Sequence, residues 1–473
     1  MTEEQHLTTQ DQHYQEILLI KIRIIEMLEQ RDFSGIREWI SSFPPPYQAE
    51  IIQMLQSREQ GIIFRLLPQK KAAEVFEYLD ISSQEDLLKA LGQNEVAAIL
   101  NDMSPDDRTH LLEELPGELT KRLLSLLSPE EKKIAQTLLG YPENSIGRLM
   151  TSDYIAVRSE WAIKEALDYI RTHGQDSETL NVIYVTDGNG KLIDDIRVRE
   201  FLLAPLENKV ESLMDYQFIA MTSLDDQEEA VHVFRKFDRV ALPVTDSMGI
   251  LIGIVTIDDI IDVAEEEATE DIQQIAGMEA LEEPYMTTSF LRMVKKRGVW
   301  LILLFIGEML TATAMAYYEH EIASAVVLAL FIPLIISSGG NSGSQAAALV
   351  VRAIALGELS FRDGIKVLKR ECLTGLLLGG ILGSIGFIRV AFFASVFHTY
   401  GDHWFLIAST VFFSLVSVVM LGTLSGAMLP LILKRVGLDP ATSSVPFIAT
   451  LVDVTGIILY FTIASFLLKG VLL

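Results

Sequence analysis

From Val299 to the C-terminus the sequence runs in five long apolar stretches, roughly 299–318, 322–350, 365–397, 404–433 and 445–468. Each reaches the ~20 residues that an α-helix needs to cross a bilayer. In hydrocarbon every backbone N–H and C=O must be satisfied within the chain, so such stretches fold as helices packed on one another. Their connections carry charge unevenly. Lys295, Lys296 and Arg297 precede the first stretch, and Arg352, Arg362, Lys366, Lys369 and Arg370 lie between or just inside the second and third. Lys434 and Arg435 lie between the fourth and fifth, while the connections at 317–321 and 398–403 hold no Lys or Arg. Positive charge marks the inner side. The first 297 residues are therefore expected on the cytoplasmic side of the membrane and the C-terminus outside. A polar, acidic stretch follows Met1, without the pattern of a signal peptide.

One carboxylate stands alone in the last stretch. Asp453 lies in Ala449-Thr450-Leu451-Val452-Asp453-Val454-Thr455-Gly456, and no Lys or Arg occurs between Arg435 and Lys469. A charge near the bilayer centre costs about 2.5–3.5 kcal/mol on insertion scales. Such a residue faces a water-filled path for a proton or cation, or else joins helices through a hydrogen bond. Glu308 in the first stretch is a second intramembrane carboxylate, facing a polar crevice or pairing with Arg389. The second stretch contains Pro333 and Ser337-Ser338-Gly339-Gly340-Asn341-Ser342-Gly343-Ser344-Gln345. Pro and Gly can break a helix here and free carbonyls for an ion, or the small residues at Gly340, Ser344 and Ala348 can let helices pack closely. Residues 422–430 of the fourth stretch offer a similar small-residue face. Carboxylate, carbonyl, hydroxyl and amide oxygens without His or Cys suit Mg²⁺ or Ca²⁺ over Zn²⁺ or Cu²⁺.

The soluble half holds all of the net charge of −26. Residues 298–473 balance nine acidic against nine basic side chains, which leaves 55 acidic and 29 basic in residues 1–297. That balance argues against nucleic acid as a partner, because phosphates call for Lys and Arg. The single cysteine, Cys372, excludes an intrachain disulfide and a Cys-rich metal site. No nucleophile–base arrangement, P-loop or metalloprotease motif points to an enzyme.

Residues 1–140 read as a stack of short helices, started by Ser-Pro-Asp/Glu at Ser104 and Ser128 and ended by Leu-Pro. Residues 141–265 contain a duplication. Leu149-Met150 recurs as Leu213-Met214, and Val185-Thr186-Asp187 as Val244-Thr245-Asp246. Each copy predicts strand, helix, strand, Asp/Gly turn, strand, helix. The pair resembles tandem CBS domains, which are regulatory and often bind adenine nucleotides. The first copy departs at Asp194-Asp195-Ile196-Arg197, where the second has Gly253-Ile254-Val255-Thr256. Residues 266–297 read as an acidic connecting helix. Eleven carboxylates fall between Asp258 and Glu283. They form either a solvated face or a set of sites for hard divalent cations.

A helical domain, a CBS pair and a five-span all-α membrane domain carrying Gly339-Gly340-Asn341-Ser342-Gly343-Ser344-Gln345 and Ala449–Gly456 resemble, over nearly the whole chain, the MgtE magnesium transporters. The resemblance implies a homodimer in the lipid bilayer. It implies Mg²⁺ both as permeant ion and as regulatory ligand, with Co²⁺ and Mn²⁺ as further cargo and ATP as a further ligand of the CBS pair. Asp453 would be the pore carboxylate and Ala449 would offer a carbonyl. The cytosolic Mg²⁺ sensor would draw on Asp226, Glu228 and Asp238 of the second copy, on Asp259, Asp262, Glu267, Glu270 and Asp271 of the acidic helix, and on Asp106 and Glu74 of the helical domain. The stretch 268–295 would be a plug helix over the pore. Val445 stands where relatives carry Asn, and His110 where an acid can occur. A proton- or Na⁺-coupled divalent cation transporter is the competing class, and a sensor without conduction a third.

Overall fold

The computed structural model describes residues 9–281, 285–286, 288–442, 445–469 and 471. Glu282 and Glu283 of the acidic run fall outside the described residues. The chain divides into two compact units, Met1–Val263 and Ala264–Leu473.

In the first unit, ten helices between Thr9 and Leu138 form the N-terminal domain. After the first they are eight to ten residues long, because the sequence restarts them so often. Pro45, Pro105 and Pro129 occupy first turns, where a missing N–H is harmless. Asp32, Asp80 and Ser128 cap helices by accepting from Gly35, Ser83 and Glu131 N–H. The helices share one core that includes Ile36, Ile51, Val75, Phe76, Leu87, Leu100, Leu111 and Leu123. Arg108 is wholly buried beneath it, bonded to the Leu100 and Met103 carbonyls and to Glu131. A buried guanidinium needs acceptors of this kind, and here both terminal nitrogens have them while Nε has none.

The duplication becomes two three-stranded sheets, β1 (Ala156–Arg158), β2 (Val182–Thr186) and β3 (Leu192–Arg197), then β4 (Met221–Thr222), β5 (Ala241–Thr245) and β6 (Leu251–Thr256). In each, the first pair is parallel and the second antiparallel. The copies are stitched by reciprocal backbone bonds between Thr151 and Ile254, and by Leu192 N–H to Gly249 and Leu251 N–H to Gly190. The divergent residues sit at equivalent points of this pseudo-symmetry. Gly253 lies so near the start of the first copy that a Cβ would stand 2.8 Å from the Thr151 carbonyl. Asp194 instead accepts from Asp215 and Tyr216 N–H at the start of the second copy, and Asp195 pairs with Arg239 at 3.1 Å.

In the C-terminal half we label the long helices α1 (Ile257–Ile275), α2 (Phe290–Tyr317), α3 (Ile332–Ala355), α4 (Gly364–Phe397), α5 (Trp404–Arg435) and α6 (Val445–Leu468). Among the described residues five segments are long and apolar enough to cross a membrane: 290–317, 326–355, 361–397, 401–435 and 445–468. Two expectations are corrected. The helix after the CBS pair ends at Ile275, and Gly277 follows with φ +78°, so a single plug helix over 268–295 does not form. Gly adopts that left-handed turn without a Cβ clash. Lys295–Arg297 lie in the first turns of α2, ahead of its apolar stretch. The second span breaks around Ala325 and Phe331, and Pro333 lies in the first turn of α3. Pro is compatible with that position, so the helix then runs unbroken through Gly339–Gly343.

The glycines serve contact between helices. A Cβ on Gly422 would stand 2.2 Å from the Gly339 carbonyl, and one on Gly426 would similarly strike that of Gly343. Helices α3 and α5 thus touch backbone to backbone, as small residues in membrane spans allow. Gly375, Gly379 and Gly383 play the same role on α4, against Met420, Val416 and Phe412 of α5.

Candidate functional site

Helix α6 completes the membrane domain and carries Asp453. Ala449 and Asp453, four residues apart, share one face of it. A Cβ on Gly340 of α3 would stand 3.7 Å from Ala449 Cα and Cβ, and the Ser344 hydroxyl donates to the Val445 carbonyl at 3.4 Å. On another side α2 approaches so closely that a Cβ on Gly307 would stand 2.9 Å from Thr450 Cγ2. Asp453 is half-buried there, and the Glu308 carboxyl lies within hydrogen-bonding reach of it. Arg389 is not Glu308's partner. Its guanidinium sits over the rings of Phe331 and Phe393, at 5.8 and 5.3 Å from their centroids. Two carboxyl groups that face each other need a proton or a cation between them. The lone Ala449–Asp453 face read from sequence is therefore a two-carboxylate site.

The end of the acidic helix reaches the start of α6 within the same unit. A Cβ on Gly277 would meet Pro446 Cγ at 3.0 Å, and Glu279 N–H donates to the Lys296 carbonyl of α2 at 3.3 Å. The Gly277 turn thus rests on the helix that carries Asp453, seven residues before it.

A second set of carboxylates lies in the first unit, where the helical domain meets the CBS pair. Asp106, on the helix Pro105–Glu114, is buried, and Asp259, near the start of α1, faces it. Burial first, and the charge of Asp259 second, hold the Asp106 carboxyl well above the usual carboxylate range. Burial likewise pushes Asp259 up to about 7, although the Thr256 hydroxyl, donating at 2.7 Å, opposes the rise. Glu77 is pushed up to about 7 by burial and then by Asp107, while it accepts from Ser104 N–H. Glu178 of the first CBS copy is raised by burial and by Asp258 and Asp107. His110, exposed beside Asp107, works in the opposite direction and lowers its pKa. Desolvation and mutual repulsion thus act together across this seam.

Of the residues predicted for a sensor, Asp106 and Asp259 are brought together. Glu74 is exposed but close enough for its charge to be felt at Glu77. Asp226 and Glu228 are at the start of the helix Gln227–Phe237, where Asp226 accepts from Glu228 N–H at 2.9 Å. Asp238 ends that helix with φ +49°, about 18 Å from Asp226 at 1.5 Å per residue, so these three do not converge. Asp262 extends along α1, and Glu267, Glu270 and Asp271 belong to the second unit; Glu270 accepts from Gln274 Nε2. Among the described residues no three Asp, Glu, His or Cys side chains converge closely enough to hold a metal by themselves. Glu77, Asp107 and Glu178 join the seam although nothing in their local sequence marked them.

Comparison with known proteins bears on both sites. Residues 332–463 match the family described as MgtE, divalent cation transporter; residues 43–144 match the MgtE intracellular N domain; residues 146–207 and 210–266 each match a CBS domain. The chain is 36% identical to the magnesium transporter MgtE of Thermus thermophilus over 71% of this chain and 73% of that one. It is 31% identical to MgtE of Bacillus subtilis over 71% and 72%. Its fold matches the crystal structure of the cytosolic domain of the Mg²⁺ channel MgtE in complex with ATP, with TM-score 0.50 and 31% identity, over 51% of this chain and 99% of that one. The soluble part of a magnesium transporter matches with TM-score 0.51 and 27% identity, over 53% and 99%.

Proposed function

The chain belongs to the MgtE family of magnesium transporters, and from that premise we propose that it is a homodimeric Mg²⁺ channel of a bacterial inner membrane, closed by cytosolic Mg²⁺. The observation that carries the proposal is Asp453, held within five apolar helices with Glu308 rather than a cation beside it. Mg²⁺ dehydrates reluctantly and is usually held by one or two carboxylates with several waters kept. Asp453 and the Ala449 carbonyl would receive it in that hydrated form. Co²⁺ and Mn²⁺ enter the same proposal, because oxygen sites separate them weakly from Mg²⁺. Dimerisation is supported by α2, nearly all of whose surface is exposed within one protomer, Glu308 included. The clustering of Lys and Arg at 295–297, 352–370 and 434–435 supports a cytoplasmic N-terminal half and an outside C-terminus.

Closure follows from electrostatics. Asp106, Asp259, Glu77 and Glu178 repel one another while ionised, which drives the helical domain from the CBS pair. Mg²⁺ shared between pairs of them, with its waters, offsets that repulsion and selects the docked form. Because only pairs converge, such sites are weak and respond to changes in free Mg²⁺. The change would reach the pore through α1 and the Gly277 turn, which bears on Pro446 at the foot of α6. Glu267, Glu270 and Asp271 would hold further Mg²⁺ along α1, and Asp226, Glu228, Asp238, Asp262 and Glu74 would contribute outlying ligands.

ATP at the CBS pair is a weaker part of the proposal. In the first copy Asp194 and Asp195 place two carboxylates where the second copy has Gly253 and Ile254, which disfavours a triphosphate. The gating mechanism is therefore built without a nucleotide.

A direct test measures the distance between spin labels at Glu118 and Asp168 in the full chain with Cys372 replaced by Ala. Mg²⁺ should convert a broad, long distribution to a narrow, short one, and Asp259→Asn, which removes both a repelling charge and a ligand, should flatten that response. A distribution that ignores Mg²⁺ contradicts the closure mechanism. The competing proton- or Na⁺-coupled transporter predicts that Mg²⁺ flux follows a proton or Na⁺ gradient when the Mg²⁺ gradient is zero.

A further inference from the structure

We infer that Glu308 is a specificity-determining carboxylate of the permeation site, where it holds the divalent cation jointly with Asp453. The inference rests on the reading of Asp453 as the pore carboxylate. Glu308 lies on α2, outside residues 332–463 that match the transporter family. Two independent features bring it to the site. Gly307 lets α2 approach α6 at Thr450 more closely than any side chain would permit, and Asp453 follows Thr450 by one turn. Glu308 is also exposed within the protomer, although it sits mid-way along a membrane span. An intramembrane carboxylate does not face lipid, so this exposed face belongs to water or to protein.

The charged groups that meet here are both acidic. From α6 the facing group is Asp453, and α6 offers no Lys or Arg before Lys469. From α3 the facing residues are small, with Gly340 beside Ala449. Arg389 of α4 is engaged with Phe331 and Phe393. At each carboxylate a divalent ion gains twice the Coulomb attraction of a monovalent one, so a second carboxylate in contact with the ion doubles the margin between them. Glu308 would thus set the preference for Mg²⁺ over Na⁺ or K⁺.

The test compares Glu308→Gln with Glu308→Asp and Asp453→Ala, each as full-length protein in proteoliposomes. Glutamine keeps the length of the side chain and can still donate a hydrogen bond to Asp453, but loses the charge. The inference expects Glu308→Gln to raise the half-saturating external Mg²⁺ at least tenfold and to lower the Mg²⁺/Na⁺ permeability ratio, with Glu308→Asp closer to wild type. Unchanged half-saturation and ratio in Glu308→Gln, beside lost flux in Asp453→Ala, would overturn this inference and leave the pore reading intact. Unchanged flux in folded Asp453→Ala would overturn both. Should Glu308→Gln fail to assemble, Glu308→Asp decides: withdrawing the charge by one methylene should raise half-saturation threefold or more, and no rise overturns the inference.

Discussion

The membrane domain and the cytosolic seam bring carboxylates together in opposite ways. In the membrane, Asp453 and Glu308 are held together by helices whose separation is fixed by glycine backbones, at Gly307 against Thr450 and at Gly339 and Gly343 against Gly422 and Gly426. The cytosolic carboxylates come from two separately built domains, so their meeting is conditional on docking: Asp106 is buried at the seam, Glu77 and Asp259 are half-buried, and Glu178 is exposed. A permanent pair can bind and release an ion without moving its frame, which suits conduction. A conditional set changes the docking equilibrium by the differential affinity of the ion for the two forms, which suits sensing.

The largest effect should come from disturbing the permanent frame. Gly422→Val places a side chain where the Gly339 carbonyl already stands, and overpacking of this kind costs about 1–3 kcal/mol or more. We expect loss of folded protein on size-exclusion chromatography in detergent; a normal elution profile and normal flux would show that the frame is softer than described. Next in size, Asp106→Asn with Asp259→Asn removes both the mutual repulsion and the Mg²⁺ ligands at that pair, so it should leave conduction in place but make closure nearly independent of internal Mg²⁺ over the range that closes wild type. A wild-type closing curve would separate the seam from gating.

A third effect concerns pH. Glu77 and Asp259 titrate near 7 in the docked form and Asp106 is raised also, while undocked carboxylates titrate near their ordinary 4–4.5. The docked form therefore binds more protons. Without Mg²⁺, docking should be strongest below about pH 4.5 and be lost as pH rises through 7. The Glu118–Asp168 spin-label distance should shorten on acidification from pH 8 to 5.5, and Mg²⁺ at pH 8 should produce the same shortening. The smallest effect is expected at Asp226. Asp226→Ala removes a cap worth about 1 kcal/mol from the helix Gln227–Phe237. It should lower the thermal midpoint by a few degrees while shifting half-closure less than threefold, because Asp238 lies at the far end of that helix. A larger shift would mean that Asp226 is a principal ligand.

Much of this arrangement was legible in the sequence. Hydropathy placed the five spans, repetition disclosed the CBS pair, and Ser-Pro starts marked helices of the N-terminal domain. Asp453 was visible because an apolar stretch makes a single carboxylate conspicuous. The errors share a cause, which is that local signals do not say what a residue is opposite. Pro333 and Gly339–Gly343 look alike as breakers, yet one starts a helix and the others meet the backbone of α5. The acidic run looks like one long helix, yet Gly277 ends it. Glu308 read as facing a polar crevice or pairing with Arg389, and Asp453 became its neighbour only through the approach of α2 to α6. Glu77, Asp107 and Glu178 carry no motif, since their seam joins positions as far apart as 77 and 259. Gly375, Gly379 and Gly383 did carry a signal, a four-residue spacing that marks a close helix contact in membranes.

The central claim is that Mg²⁺ passes at Asp453 and that cytosolic Mg²⁺ closes the way. Mg²⁺ flux into proteoliposomes, for wild type beside Asp453→Ala and with internal Mg²⁺ varied, tests it most directly. The account predicts flux that falls as internal Mg²⁺ rises in wild type and is absent at every internal Mg²⁺ in the mutant. Undiminished flux through a folded Asp453→Ala protein, or wild-type flux indifferent to internal Mg²⁺, would contradict it.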